Sequence, residues 1–405
     1  IDVGTYNVPT GFYSTGAGYD ITYGSGKLVI TPAALNITAN NQNKGYGSTF
    51  TFTGNEYTAA GLKNGETIGS VSISSAGAAN TATIAGGPYA INVSNATGGT
   101  FNPSNYSITY NTGLLTIGRG TVTITGLAGV NKVYDGTTTA GVDTSGIQFS
   151  GLVNGDTISL VSSTGAFANK NVGNGKSISL TNTYGGAALS NYNIVDQLFT
   201  TANITQKSLI ISGITAANKI YDATTSAVTN TSGIVMTGLI GGDTVTVSSS
   251  GAFTDKNVGT GKTVNLTNSI GGVDKGNYAI TDQTTATADI TPKTLTISGV
   301  TASNKVYDGT TTASLDTSSA LMSGLIGGDA VTLTASGNFA DKNVGAGKSV
   351  SMSGSISGAD AGNYSANVSG TLTADITKKA ATVSGITAAD KTYDGTTAAT
   401  ANTGS

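Results

Sequence analysis

One short motif returns along this chain at an almost constant interval. Lys132-Val133-Tyr134-Asp135-Gly136 recurs as Lys219-Ile220-Tyr221-Asp222-Ala223, as Lys305-Val306-Tyr307-Asp308-Gly309 and as Lys391-Thr392-Tyr393-Asp394-Gly395. The tyrosines Tyr134, Tyr221, Tyr307 and Tyr393 therefore stand 87, 86 and 86 residues apart. An interval of this length argues against one continuous core for all 405 residues. Each copy must close its own small core and then lean on its neighbours.

Three further landmarks follow each copy in the same order. A Gly-Asp turn comes first (Gly155-Asp156, Gly242-Asp243, Gly328-Asp329), then Lys-Asn-Val-Gly (Lys170 to Gly173, Lys256 to Gly259, Lys342 to Gly345). Asn-Tyr follows (Asn191-Tyr192, Asn277-Tyr278, Asn363-Tyr364), and a closing strand ends the unit at Ile204, Ile290 and Ile376. A divergent copy precedes these, with Gly45-Tyr46-Gly47, Leu62 to Glu66 and Asn105-Tyr106 in the matching places. Tyr19-Asp20-Ile21 followed by Leu28 to Thr31 reads as the tail of one more. The boundaries expected are 1–31 for a partial repeat, 32–118 for the divergent one, 119–206, 207–292 and 293–378 for full copies, and 379–405 for the start of another.

The composition is that of strands and turns. There are 58 Gly, and Thr, Ser, Val and Ile fill the segments between them. Thr244-Val245-Thr246-Val247 and Ser177-Ile178-Ser179-Leu180 alternate with period two, and Gly, Asn and Asp punctuate such runs every ~8–12 residues. The expected fold is all-β: a tandem array of small antiparallel, immunoglobulin-like β-sandwiches forming an elongated rod. Core candidates in the 119–206 copy are Ile124, Val133, Phe149, Leu152, Ile158, Leu160, Phe167, Ile178, Tyr192, Ile194 and Ile204. The spacing in Asp274-x-Gly276-x-Tyr278-x-Ile280, repeated at Asp360 to Ala366, is similar to a tyrosine corner, whose hydroxyl bonds back to upstream backbone. Junctions such as Asp289-Ile290-Thr291-Pro292-Lys293-Thr294 leave no flexible linker. Four stiffly joined modules and the flanking pieces would span ~150–190 Å at the rise of a strand.

The order of Tyr-Asp-Gly, Lys-Asn-Val-Gly and Asn-Tyr resembles the YDG repeat domain, and the Gly45-Tyr46-Gly47 copy is similar to the MBG-type repeat in its YG variant. The resemblance runs from about residue 32 onward. It implies an extracellular stalk or passenger region of a large bacterial surface exoprotein similar to filamentous haemagglutinin adhesins. It implies no catalytic residues. Ala223 departs from the pattern where the other copies have Gly, so its turn is expected to differ.

Candidate residues were weighed against plainer roles. Tyr134, Asp135, Gly136, Tyr221, Asp222, Tyr307, Asp308 and Gly309, with Tyr192, Tyr278 and Tyr364, read as structural: a buried tyrosine, then an Asp-Gly turn in which Gly takes positive φ and Asp bonds its own backbone. A structural calcium would need several carboxylates together, with Asp135, Asp156 and Asp196 or their copies as the candidates. Gly259-Thr260-Gly261-Lys262-Thr263 lacks the first Gly of a phosphate loop, because Lys256 stands there, and reads as a Gly-rich turn. A Lys to Asn or Asp isopeptide bond from Lys132, Lys219 or Lys305 to Asn203, Asp289 or Asp375 would require a carboxylic acid kept neutral by burial. With no His and no Cys, the usual base and nucleophile are missing, so no enzyme and no cofactor are expected.

A net charge of −3 gives no footprint for nucleic acid, and no apolar run reaches the ~18 residues of a membrane helix. Ile1-Asp2-Val3-Gly4 does not read as a signal peptide, and a piece of a longer secreted or surface-attached protein is expected. The leading expectation is a stalk whose partners are neighbouring repeats. The alternatives are a self-assembling filament of many copies and a multivalent array binding glycans or matrix.

Overall fold

The computed structural model describes residues 1–8, 24, 26–153 and 155–404. The Tyr19-Asp20-Ile21 landmark and Asn154 lie outside the described residues. Two compact units, Ile1–Lys207 and Ser208–Ser405, make up the chain. The described residues hold strands and five single turns of 3-10 helix, and no α-helix.

In the first unit the divergent copy pairs two sheets. Ala33–Ala39 lies between Tyr57–Ala60 and Tyr106–Asn111, and the second sheet runs in the order Gln42–Gly45, Gly113–Gly118, Tyr89–Gly99, Ile68–Ser74. Leu35, Ile37, Ile91 and Leu115 are fully buried between them. The next copy repeats the plan. Gly120–Thr125 lies between Gln148–Ser150 and Tyr192–Val195, facing a sheet ordered Ala128–Val130, Thr139–Asp143, Ser159–Phe167, Gly173–Gly185, Phe199–Thr205, Lys132–Val133.

The second unit holds two more sandwiches of this kind. Lys207–Ser212 and Lys293–Ser298 are the central strands of their smaller sheets. Thr285–Thr291, Gly259–Gly271 and Thr246–Phe253 build the larger sheet of one, and Ser369–Thr377, Gly345–Ser357 and Thr332–Phe339 that of the other.

The strand sequences dictate which face turns inward. Along Gly120–Thr125 the apolar Val122 and Ile124 are buried while Thr121, Thr123 and Thr125 are exposed. Leu209 and Ile211 repeat this one period later. Successive side chains of a strand point to opposite faces, so alternation of branched apolar residues with Thr suits a half-buried sheet. Full burial of each such side chain contributes about 1.5–3 kcal/mol.

Two expectations need correction. The sheets are mixed rather than wholly antiparallel. Gly120–Thr125 runs parallel to Tyr192–Val195, and Lys132–Val133 runs parallel to Phe199–Thr205. These partners are some 70 residues apart in sequence, so the chain crosses over between them instead of folding back through a hairpin. Val133 is not core: it is 55% exposed, because it alternates with the buried Tyr134. Ile124, Ile158, Phe167, Ile178, Tyr192 and Ile204 are buried, and Phe149, Leu152, Leu160 and Ile194 are half-buried.

Candidate functional site

Each Lys-x-Tyr-Asp motif divides its work by the alternation of the strand. The lysine and aspartate serve their own turn. Lys132 Nζ donates to Asp135 Oδ1 at 2.7 Å and to the carbonyls of Thr137 and Thr139 at 2.9 Å, and sits 5.6 Å from the centre of the Phe167 ring. Asp135 Oδ1 also accepts the N–H and hydroxyl of Thr137, both at 2.9 Å. Lys219 and Lys305 repeat these contacts with Asp222 and Asp308. The Lys305 ammonium and the Thr310 N–H hold Asp308 at a pKa of about 2. Gly136 and Gly309 take φ of 77° and 85°, and Ala223 takes 61°. The turn at Ala223 thus keeps the backbone of its sisters, contrary to expectation. The Lys219 and Thr224 bonds to Asp222 hold it there against the strain of a side chain in the left-handed region.

The Asn-Tyr tyrosines bond far upstream. The Tyr192 hydroxyl accepts the Val153 N–H at 3.0 Å and donates to Asp156 at 2.7 Å. Tyr278 joins Ile240 and Asp243 in the same way, Tyr364 joins Ile326 and Asp329, and Tyr106 joins Lys63 and Glu66. The return to upstream backbone expected of a tyrosine corner is present, but it reaches the Gly-Asp turn, 35 to 43 residues back.

The tyrosine of the Tyr-Asp-Gly motif, or of Gly45-Tyr46-Gly47 in the divergent copy, then completes this arrangement from the preceding copy. In the first unit the Tyr46 hydroxyl donates to Asp156 at 2.8 Å, and its ring meets Tyr192 edge-on at 5.3 Å. In the second unit the Tyr221 hydroxyl donates to Asp329 at 2.9 Å, and its ring meets Tyr364 at 5.4 Å and 76°. One carboxylate therefore receives two tyrosines, one from each of two successive copies. Lys256, from Lys-Asn-Val-Gly, adds an ion pair to Asp329 at 3.2 Å and to Asp360 at 3.3 Å, and lies 5.9 Å from the Tyr221 ring centre.

The asparagines close the same joint. Asn363 Oδ1 accepts the Val258 N–H at 2.9 Å, and Asn191 Oδ1 accepts the Ile84 N–H at 3.2 Å. Asn105 Oδ1 accepts the Val3 N–H at 2.8 Å. The apolar clusters run through the joints as well. Tyr46 and Ile117 pack with Val122, Ile158 and Tyr192, and Tyr221 and Val258 pack with Leu295, Leu325 and Tyr364. Burial pushes the Tyr192 and Tyr364 hydroxyls up to about 12. The hydroxyl of Tyr364, followed by Tyr221 and Lys256, holds Asp329 below the ordinary carboxylate value.

Two known domain families match the chain. The YDG domain matches residues 118–201, 205–286 and 291–373, more than half of the chain. The chain belongs to the YDG domain family. The MBG domain of YGX type matches residues 35–116, the divergent copy ahead of the YDG repeats. Neither is an enzymatic family. No curated protein matches. Among solved structures, a crystal structure of Drosophila N-cadherin EC1-4 aligns at 9% identity over 85% of this chain and 100% of that chain. Its TM-score of 0.24 is too low for the likeness to carry an argument.

The YDG repeats place the remaining candidates apart from one another. Tyr134 is buried with Lys170 5.9 Å from its ring centre, whereas Tyr307 is half-buried. Asp135 stays with Lys132, Asp156 with the two tyrosines, and Asp196 with Asn182 and Tyr184. Among the described residues no group of three acidic side chains could hold a metal ion. Gly261 forms a bulge in a long strand, with φ of 58° and its N–H on Asp289 Oδ1 at 2.7 Å. Asn203 and Asp375 cap the equivalent bulges at Gly175 and Gly347. The closing-strand side chains are thus engaged with bulges and the motif lysines with their own turns, an arrangement that does not bring an isopeptide pair together.

Sequence reasoning missed the Asn191 and Asn363 side chains as acceptors across the joint. It also missed Lys44, buried in the MBG repeat on the carbonyls of Ser48 and Ala79. The recurrence of Asn-Tyr and the spacing Lys44-Gly45-Tyr46 were the available signals. No helix among the described residues is long and apolar enough to cross a membrane.

Proposed function

We propose that this chain is a structural spacer in a secreted or surface-attached bacterial adhesin or extracellular matrix protein, an array that carries binding domains away from the cell. One observation supports this reading above the others. Recurring polar residues are engaged in repeat-to-repeat joints: Tyr46 with Asp156 and Tyr192, and Tyr221 with Asp329 and Tyr364. A hydroxyl bonded to a carboxylate within the array is not available to an outside ligand. The YDG and MBG repeats, arranged in tandem, fit a repetitive extracellular region.

Electron microscopy of the purified chain over a dilution series tests the proposal. Separate elongated particles of one length at every concentration are expected. Filaments that lengthen with concentration would replace the spacer with a self-assembling extracellular polymer.

A further inference from the structure

One cleft in the first YDG repeat departs from the repeat plan. It measures about 650 Å³ and is lined by Arg119, Tyr184, Leu189, Ser190, Asn193 and Ile194 together with neighbouring small residues. Arg119 is the single arginine of the chain. Its side chain is exposed, and among the described residues it makes no hydrogen bond or ion pair.

Several positions around this cleft differ from the sister repeats at once. Arg119 stands where the later copies have Gln206 and Pro292. Gly120, opposite Tyr192 in the sheet, replaces Lys293, opposite Tyr364. A Cβ at Gly120 would lie 3.0 Å from the Tyr192 ring, which therefore packs directly on the Gly120 backbone. Tyr184 occupies the sheet position of Ile270 and Ile356. Ala188 begins the 3-10 turn where Asp274 and Asp360 begin theirs. Leu189 replaces Lys275, whose ammonium in the second repeat reaches the Ile270 carbonyl at 3.1 Å. Together these changes remove a lysine from the rim and add an aromatic ring, an apolar side chain and an arginine.

We propose that this cleft binds the carboxylate of a uronic acid unit in an acidic polysaccharide. The guanidinium fork matches a carboxylate with two parallel hydrogen bonds. Leu189, Ile194 and the half-buried Tyr184 ring offer an apolar wall for the C–H face of a sugar. Ser190 and Asn193 offer polar groups for its hydroxyls. The volume lies in the range of ligand clefts, and the open mouth lets a polymer continue on either side of the bound unit. This site is independent of the spacer reading, since it belongs to one repeat, although Tyr184, Leu189 and Ile194 also pack against the apolar cluster of the joint.

Isothermal titration of the full chain with trigalacturonate is the test, with maltotriose as the neutral probe and an acidic peptide as the second anion. Saturable binding of trigalacturonate alone is expected, weakened about tenfold or more by Arg119→Gln. Leu189→Lys, which installs the side chain the second repeat already accommodates, should weaken it as well. A thermal melt of Arg119→Gln should match the parent, separating loss of the site from loss of the fold. Absence of saturable binding, equal binding of maltotriose or of the peptide, or an affinity unchanged by Arg119→Gln would overturn the proposal.

Discussion

Replacing Tyr221 with Phe removes one hydroxyl from the joint of the second unit and leaves the ring in place against Tyr364. The Asp329 side chain, 4% exposed, takes Tyr364 at 2.5 Å, Tyr221 at 2.9 Å and Lys256 at 3.2 Å. A hydrogen bond to an ionised acceptor contributes about 1.5–3 kcal/mol net. The lower end applies here because Asp329 retains two donors. A loss of about 1.5 kcal/mol raises the local opening equilibrium roughly tenfold. Hydrogen exchange of the full chain, read by mass spectrometry, measures that opening segment by segment. The Val258 and Ile326 amides, which bond to Asn363 and Tyr364 in this joint, should exchange about tenfold faster in the variant. Segments around the buried Leu35 and Ile37 should not change. Tyr307→Phe is the matched control, since the Tyr307 hydroxyl has no partner among the described residues. Equal acceleration in both variants, or none in either, would refute the assignment of Tyr221 as a joint residue.

Three further outcomes follow from the same geometry. Ala223→Gly should stabilise its repeat by about 1 kcal/mol, because Ala223 holds φ of 61°, and a higher urea midpoint for the second unit would show it. Gly47→Ala should cost about 1–3 kcal/mol, as its Cβ would stand 2.4 Å from Val153 at φ of 82°, and the loss should appear as faster exchange around residues 45–47 and 153. The pH dependence has two limbs. Asp308 sits at about 2, below its unfolded value near 4, so its contribution is present above pH ~4 and is lost as pH falls toward 2. Tyr192 and Tyr364 sit at about 12, above the ordinary 10, so theirs is present below pH ~10 and is lost as pH rises toward 12. Melting temperatures across both ranges, with absorbance titration of the tyrosines, check the two limbs.

The strands could be read from the sequence because their alternation is local: Val122 and Ile124 point in, and the threonines between them point out. The parallel pairing could not, since Lys132 finds Ile204 across the whole repeat with no turn signal between them. The joint was half visible. Its four landmarks recur in order, yet Tyr221 and Asp222 are adjacent in sequence and so read as one turn. Neighbouring residues of an extended chain face opposite ways. Asp222 therefore stays with Lys219, while Tyr221 leaves for Asp329, 108 residues on. The Arg119 cleft depends on several scattered exchanges against the sister repeats, and each looks unremarkable alone.

The joint has a plug and a socket, and the two are encoded in different repeats. The plug needs only a tyrosine and a backbone N–H; the socket needs an aspartate, a second tyrosine and an asparagine. Tyr46 of an MBG repeat and Tyr221 of a YDG repeat enter sockets of the same composition, Asp156 with Tyr192 and Asp329 with Tyr364. Unequal crossing-over that deletes or duplicates one whole period would leave each remaining plug facing a compatible socket. Array length and the order of repeat types can then change while joints of this composition are kept.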